Sequence, residues 1–303
     1  MTREYRFRQV DVFTDRVLAG NPLAVFLEPD GLSDALMQDI AREMNLSETT
    51  FVCPPERSGS TARVRIFTPR REIPFAGHPT IGTAYVLATE GRMARDARQL
   101  VLDEGIGPVA VLLEGDPKAP SFLWMRQGAA TFGPVVTSRV AIAEALGLEE
   151  RDLLADAPIQ PGSTGSPFVF VPLRDRATVD RARPDVGKLL RVAETSSAGV
   201  FVFSPDPDPT AGRVYSRMFA PHTSGVPEDP ATGSASGPLG AYIVRHRLVA
   251  SGDEARIVSE QGTQMGRPSL VHIKGRVSGG ELTDIMVGGQ VVPALDGVLR
   301  LPR

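Results

Sequence analysis

Two stretches of this chain resemble each other at an offset of about 150 residues, and that self-similarity is the tightest constraint on its fold. In the first copy Phe51-Val52 begins an apolar strand, Arg63-Val64 opens another, and Phe67 leads through a turn into Gly77-His78-Pro79-Thr80 and an apolar run. In the second, Phe201-Val202 is followed by Arg213-Val214, then Met218-Phe219, then Glu228-Asp229-Pro230-Ala231-Thr232-Gly233-Ser234 and another apolar run ending near Val244. Elements recurring in one order imply one structural unit built twice. With 303 residues, 42% of them hydrophobic, each unit can bury a core of its own.

Strand signals dominate both copies, at 10–13, 23–26, 63–67, 109–113, 168–171, 200–203 and 285–292, with an Ala-Gly-Asn-Pro turn at 19–22. An amphipathic helix is expected over 33–44, placing Leu36, Met37, Ile40, Ala41 and Met44 together, with Ser33 as N-cap and Asn45 as stop. Similar patterns span 138–146, stopped by Gly147, and 175–190. The runs after Pro79 and from Ala235 to Val244 carry almost no charge, which suits a helix buried on every side. A β-rich unit wrapped around one apolar helix, present twice, accounts for this pattern. The expected boundaries are 1–127 plus about 288–303 for a lobe carrying Glu48 and His78, and 128–287 for a lobe carrying Asp229 and Ser234.

A formal net charge of −3 supplies no positive field for nucleic acid or an anionic membrane, so a small molecule is the expected partner. No apolar run approaches the length that spans a bilayer, and the first residues lack a signal-peptide core, so a cytoplasmic location is expected. One cysteine, Cys53, rules out an internal disulfide and reads as a core residue. The four histidines, His78, His222, His246 and His272, have no ligand-like spacing, and no metal site is expected.

Three short segments carry candidate chemistry. Glu48, in Asn45-Leu46-Ser47-Glu48-Thr49-Thr50-Phe51, sits where a helix hands over to an apolar strand. At the repeat offset its counterpart is Ala198, so the second copy has no equivalent acid. Desolvation there would raise its pKa and suit a general base that returns the proton as an acid; a strand-edge carboxylate in solvent is the structural alternative. In Pro74-Phe75-Ala76-Gly77-His78-Pro79-Thr80-Ile81-Gly82, Pro79 is read as the first helical residue, so first-turn N–H groups beside Gly77 and His78 could hold an anion. His78 could donate a hydrogen bond or shuttle a proton, or serve structure alone. Asp229 precedes Pro230 at a second expected helix start, with Thr232-Gly233-Ser234 in its first turn; a plain N-cap is the alternative. Facing each other about a pseudo-twofold axis, the two helix starts would converge on one polar pocket.

Together Val10-Asp11-Val12-Phe13-Thr14, Gly20-Asn21-Pro22, the segment from Asn45 to Phe51, Phe75-Ala76-Gly77-His78-Pro79-Thr80 and Glu228-Asp229-Pro230-Ala231-Thr232-Gly233-Ser234 resemble the phenazine-biosynthesis PhzF-like family along essentially the whole chain. The resemblance implies an α+β fold of the diaminopimelate-epimerase type: two pseudo-symmetric β-rich barrels, each around a central helix, with the active site between them and a homodimer as the usual assembly. It implies Glu48 as acid/base, His78 and Asp229 as catalytic partners, and Gly77, Thr80, Gly233 and Ser234 around a small carboxylate substrate. The reaction implied is a proton shift that isomerises trans-2,3-dihydro-3-hydroxyanthranilate or a related acid, with no metal or redox cofactor. The absence of a glycine-rich nucleotide fingerprint agrees with the last point. Where related amino-acid epimerases carry two cysteines, this chain has Ala76-Gly77 and Ala231-Thr232, so two-thiol chemistry is unavailable.

Two other function classes remain open from sequence. Ser234, His78 and Asp229 supply the residue types of a hydrolase triad, although Ser234 lacks the Gly-x-Ser-x-Gly elbow. A non-catalytic protein that binds a small molecule would use the same fold.

Overall fold

A computed structural model describes residues 2–94, 96–192, 199–220 and 227–302, with the backbone alone at 190 and 192. The chain divides into two compact units, Met1–Arg126 with Gly288–Arg303, and Gln127–Val287. None of the described helices is long and apolar enough to cross a membrane.

The first unit contains β1 (Thr2–Val12), β2 (Asn21–Phe26), α1 (Asp34–Met44), β3 (Glu48–Cys53), β4 (Ala62–Phe67), β5 (Glu72–Ile73), α2 (Gly77–Thr89), β6 (Gln99–Glu104), β7 (Gly107–Asp116) and β8 (Ala119–Arg126). The C-terminal strand Val291–Pro302 returns antiparallel to β1, which also pairs with β2. Gly20 makes that turn possible: at φ +65° it lies 2.4 Å, measured from where a Cβ would stand, from the Val12 carbonyl oxygen. Strand β3 runs parallel to β2 and antiparallel to β4, which in turn pairs with β5 and, in parallel, with β6.

Alternation along the strands separates two cores. Phe26, Phe51 and Phe67 face Met37, Ile40 and Ala41 of α1, with Phe51 stacked on Phe26 at 5.2 Å and edge-on to Phe67 at 5.4 Å. The opposite face holds α2, where Gly82 lets the helix approach Leu23, Val12 and Val10. Every α2 residue except Tyr85 and Thr89 is buried, as its uncharged sequence suggests. Helix α1 starts and stops where the sequence signals: the Ser33 hydroxyl accepts from the Leu36 N–H, and Asn45 is left-handed at φ 51°.

The second unit repeats this plan with β9 (Thr131–Phe132), α3 (Arg139–Ala145), β10 (Gln160–Ser163), β11 (Pro167–Pro172), α4 (Arg176–Arg181), α5 (Val186–Val192), β12 (Gly199–Pro205), β13 (Arg213–Phe219), β14 (Glu228–Asp229), α6 (Gly233–Arg245), β15 (Glu254–Gln261) and β16 (Ser269–Ser278), followed by Glu281–Gly289. The pairing order is that of the first unit: β11 parallel to β12, β12 antiparallel to β13, β13 antiparallel to β14 and parallel to β15. Helix α6 is buried from Gly233 to Val244, while α3, α4 and α5 cover the other face through Ile142, Val179 and Leu189. The single helix expected over 175–190 is two, because Pro184 removes a backbone donor between α4 and α5. The strand expected over 285–292 is likewise divided, at Gln290.

Side chains repeat as well as strands. Arg65 forks onto Glu72 at 2.8 and 2.7 Å, and Arg217 onto Glu228 at 2.8 and 2.8 Å. Each guanidinium also lies over the phenylalanine two residues on, Phe67 at 5.1 Å and Phe219 at 4.8 Å. These pairs fix the register of the repeat independently of sequence similarity.

Candidate active site

In the first unit, strand and helix periods bring Glu48 to His78. Residues 48 and 50 share one face of β3. Thr50 uses that face to meet Thr83 of α2, hydroxyl to hydroxyl at 2.9 Å. Two residues back along the strand, roughly 6.6 Å, and five back along the helix, roughly 7.5 Å, are similar steps. Glu48 therefore reaches the first turn of α2, where its Oε2 lies 3.5 Å from His78 Nε2. The two side chains are only 12% and 3% exposed, so the pair is held largely out of water.

Asn21, the first residue of β2, fixes the state of the imidazole. Its Nδ2 lies 3.0 Å from His78 Nδ1. An amide nitrogen donates and cannot accept, so Nδ1 is the bare acceptor and the ring proton sits on Nε2, toward Glu48. Burial pushes His78 down to about 3, which leaves it neutral at physiological pH. At 3.5 Å, Nε2 has no hydrogen-bond partner among the described residues, so a small movement of Glu48 or an arriving oxygen would complete the bond.

Helix α2 begins at Gly77, with Ala76 as an extended N-cap that offers no side-chain bond. Pro79 is thus the third helical residue and not the first; it is tolerated there because first-turn N–H groups have no intrahelical acceptor. The uncapped first turn offers the N–H groups of Gly77 and His78. Thr80 is fully buried, its hydroxyl 2.7 Å from the Ala76 carbonyl and 2.6 Å from Glu104 Oε1, so it supports the turn from behind.

In the second unit, helix α6 starts at Gly233 with Thr232 as N-cap, which corrects the start expected at Pro230. Asp229 lies on β14 and is no N-cap; its Oδ2 accepts the Thr232 hydroxyl at 2.6 Å. Gln261 completes a buried lattice, donating to the Asp229 carbonyl at 2.7 Å and to the Thr232 hydroxyl at 3.0 Å while accepting from the Thr232 N–H at 3.1 Å. Gln127 donates to the Gly233 carbonyl at 2.9 Å. Asp229 and Ser234 are thereby placed on a rigid turn, both nearly buried.

The helices open at Gly77 and Gly233, an offset of 156 residues, so the residue matching His78 is Ser234, not Asp229. Sheet pairing likewise aligns Glu48 with Gly199: Glu48 sits opposite Leu23 as Gly199 sits opposite Phe168. Ala198 and His222 lie outside the described residues. Sequence reasoning missed Asn21 as the imidazole's partner, and missed Glu104, Gln127 and Gln261 altogether. Asn21 stood inside a quoted turn motif, and the others are single polar residues with no local pattern.

The family model for phenazine biosynthesis-like proteins matches residues 10–297. A trans-2,3-dihydro-3-hydroxyanthranilate isomerase of Pseudomonas aeruginosa is 37% identical over 97% of this chain and 98% of its own. An uncharacterized isomerase of Clostridium acetobutylicum is 34% identical over 96% of this chain and 97% of its own. Among solved structures, a phenazine biosynthesis protein of the PhzF family from Bacillus anthracis superposes with a TM-score of 0.87 at 28% identity, covering 98% of this chain and 99% of that one. A hydroxyproline epimerase from Agrobacterium vitis shares the fold alone, with a TM-score of 0.70 at 13% identity over 99% and 94% of the two chains. Two-copy architecture, a lone acid facing a neutral imidazole and similarity along nearly the full length agree, and the chain belongs to the phenazine biosynthesis-like family of isomerases.

Proposed function

We propose that this protein moves a proton between two carbons of a small carboxylated substrate, with Glu48 as the single general acid/base and no bound cofactor. The observation that carries this reading is the separation of 3.5 Å between Glu48 Oε2 and a buried, neutral His78 Nε2–H. As a carboxylate, Glu48 takes a proton from one carbon, the electron pair delocalises through the adjacent double bonds, and Glu48 returns the proton to a second carbon. The Nε2–H donates to whichever oxygen carries negative charge at that moment, and the N–H groups of Gly77 and His78 receive an anionic substrate group. Asp229 and Ser234 are assigned to the substrate's amino and hydroxyl groups, Gly233 to the backbone that lines the site, and Thr80 to support of the His78 turn.

Trans-2,3-dihydro-3-hydroxyanthranilate, the substrate in the name of the Pseudomonas aeruginosa relative, is the first candidate. Homodimeric assembly, which the family resemblance implies, and the cytoplasmic location expected from the composition complete the proposal. A serine-hydrolase reading is disfavoured because both His78 nitrogens are directed elsewhere, Nδ1 to Asn21 and Nε2 to Glu48.

The test is to offer the candidate acid to the protein in heavy water. Wild type should incorporate solvent deuterium into the product. Glu48→Gln, with its fold checked by circular dichroism, should neither turn over nor exchange; undiminished turnover in that variant overturns the assignment.

A further inference from the structure

Glu104, at the end of β6, is a buried carboxyl for which the proposed proton transfer has no use. Its Oε1 lies 2.6 Å from the Thr80 hydroxyl, which lies 2.7 Å from the Ala76 carbonyl oxygen. A hydroxyl has one proton and a carbonyl has none to give. Both contacts are hydrogen bonds only if Thr80 donates to Ala76 while Glu104 carries a proton on Oε1 and donates to Thr80. The other oxygen, Oε2, is buried with no hydrogen-bond partner among the described residues, a poor place for a charge. Burial pushes Glu104 up to about 8.

Neighbouring ionisable groups leave Glu104 neutral. Asp103 on the same strand is occupied by Ser60, Arg57 and the backbone N–H groups of Glu56 and Arg57, and His78 on α2 is uncharged. The internal repeat points the same way. In the second unit Ser236 donates to the Thr232 carbonyl at 2.9 Å, as Thr80 does to Ala76. Gly262 presses on Pro230, whose Cα lies 3.2 Å from where a Cβ would stand, as Gly105 presses on Pro74 at 2.6 Å. The residue before Gly262 is Gln261, so the repeat carries a neutral amide where the first unit carries Glu104.

We propose that Glu104 is a positioning residue that works as a neutral carboxylic acid, acting through Thr80 on the Ala76–Gly77 peptide so that the Gly77 N–H becomes a stronger donor to the substrate anion. The Ala76 carbonyl and the Gly77 N–H belong to one conjugated peptide unit, so a hydrogen bond to the oxygen polarises the N–H. The contact of Gly105 with Pro74 holds the same turn from its other end. The role in catalysis rests on the function proposed above; the protonation state does not.

The experiment measures kcat/KM for trans-2,3-dihydro-3-hydroxyanthranilate against pH in wild type, Glu104→Gln, Glu104→Leu and Thr80→Val. Gln can still donate to Thr80, so Glu104→Gln should stay within about threefold of wild type, while Glu104→Leu and Thr80→Val should fall about tenfold, the scale of one hydrogen bond. Wild type should lose activity as Glu104 ionises on the alkaline side, and Glu104→Gln should lack that limb. Infrared difference spectra of the folded proteins at neutral pH, which need no substrate, should show a protonated-carboxyl band in wild type that Glu104→Gln lacks. Identical spectra, or a Glu104→Leu variant as active as wild type, or a Glu104→Gln variant as impaired as Glu104→Leu, would overturn the proposal. If wild type leaves this acid unchanged, the functional reading fails and the infrared band alone decides the state of Glu104.

Discussion

Replacing Glu104 by Gln should raise stability by an amount that grows with pH. Glu104 is raised from its ordinary 4.5 to about 8 by burial. Between those values the unfolded chain has released the proton and the folded chain retains it, so stability is full below the lower value and is lost as pH climbs through the upper one. Each unit of pH removes about 1.4 kcal/mol, which comes to roughly 3 kcal/mol at pH 7 and roughly 4 at pH 8, where the folded-state group is half ionised. Glutamine makes the same donor contact with no proton to lose. The stability difference between variant and wild type should therefore rise across this window and flatten above it, whatever constant offset the substitution adds. For a unit of this size, 3 kcal/mol corresponds to roughly 6–12 °C in Tm. Calorimetric melting of both proteins at pH 5, 6, 7 and 8 is the assay. A difference that stays constant over that range, or shrinks, would refute the assignment of Glu104 as a protonated acid.

Other substitutions probe the scaffold around the site. Arg217→Ala removes the fork onto Glu228 and two hydrogen bonds to the Val179 and Ala182 carbonyls at 3.1 and 2.9 Å, so chemical denaturation should show a loss of about 3–5 kcal/mol. Arg217→Lys should recover little of it, since an ammonium cannot fork. Phe51→Ala empties the centre of the aromatic stack between Phe26 and Phe67 and should cost about 3–5 kcal/mol by the same measurement. Asn21→Leu removes the donor that holds the His78 proton on Nε2; nitrogen NMR of the imidazole should show a mixture of tautomers in place of one, and turnover should fall by about tenfold or more.

Much of this architecture is legible in the sequence because it is local. Strand alternation, the Ser33 and Asn45 caps of α1 and the two uncharged helices are each written in adjacent residues, and the repeat follows from their order. Register is where a constant offset misleads. Four residues separate the paired Phe67 and Glu72, whereas eight separate their counterparts Phe219 and Glu228 in the sequence. That insertion makes Asp229 look like the partner of His78 in sequence, while in the fold the partner is Ser234. The hydrogen-bond supports are hidden for a different reason. Asn21, Glu104, Gln127 and Gln261 reach their partners across 57, 24, 106 and 29 positions, distances over which no periodic pattern operates. Sheet pairing sets Asp103 beside Arg63 as it sets Glu260 beside Tyr215, so Glu104-Gly105 and Gln261-Gly262 fall into correspondence at a spacing that no fixed offset reveals.

That one carboxylate both removes and returns the proton can be read directly from a single-turnover reaction in ordinary water. The candidate acid would carry deuterium at the carbon that loses its proton, and the product would be analysed by mass spectrometry and NMR. If Glu48 carries the hydrogen, a fraction of the deuterium should appear at the receiving carbon, and Glu48→Gln should form no product. Product formed by Glu48→Gln at the wild-type rate, with the same label distribution, would show that another group does the work.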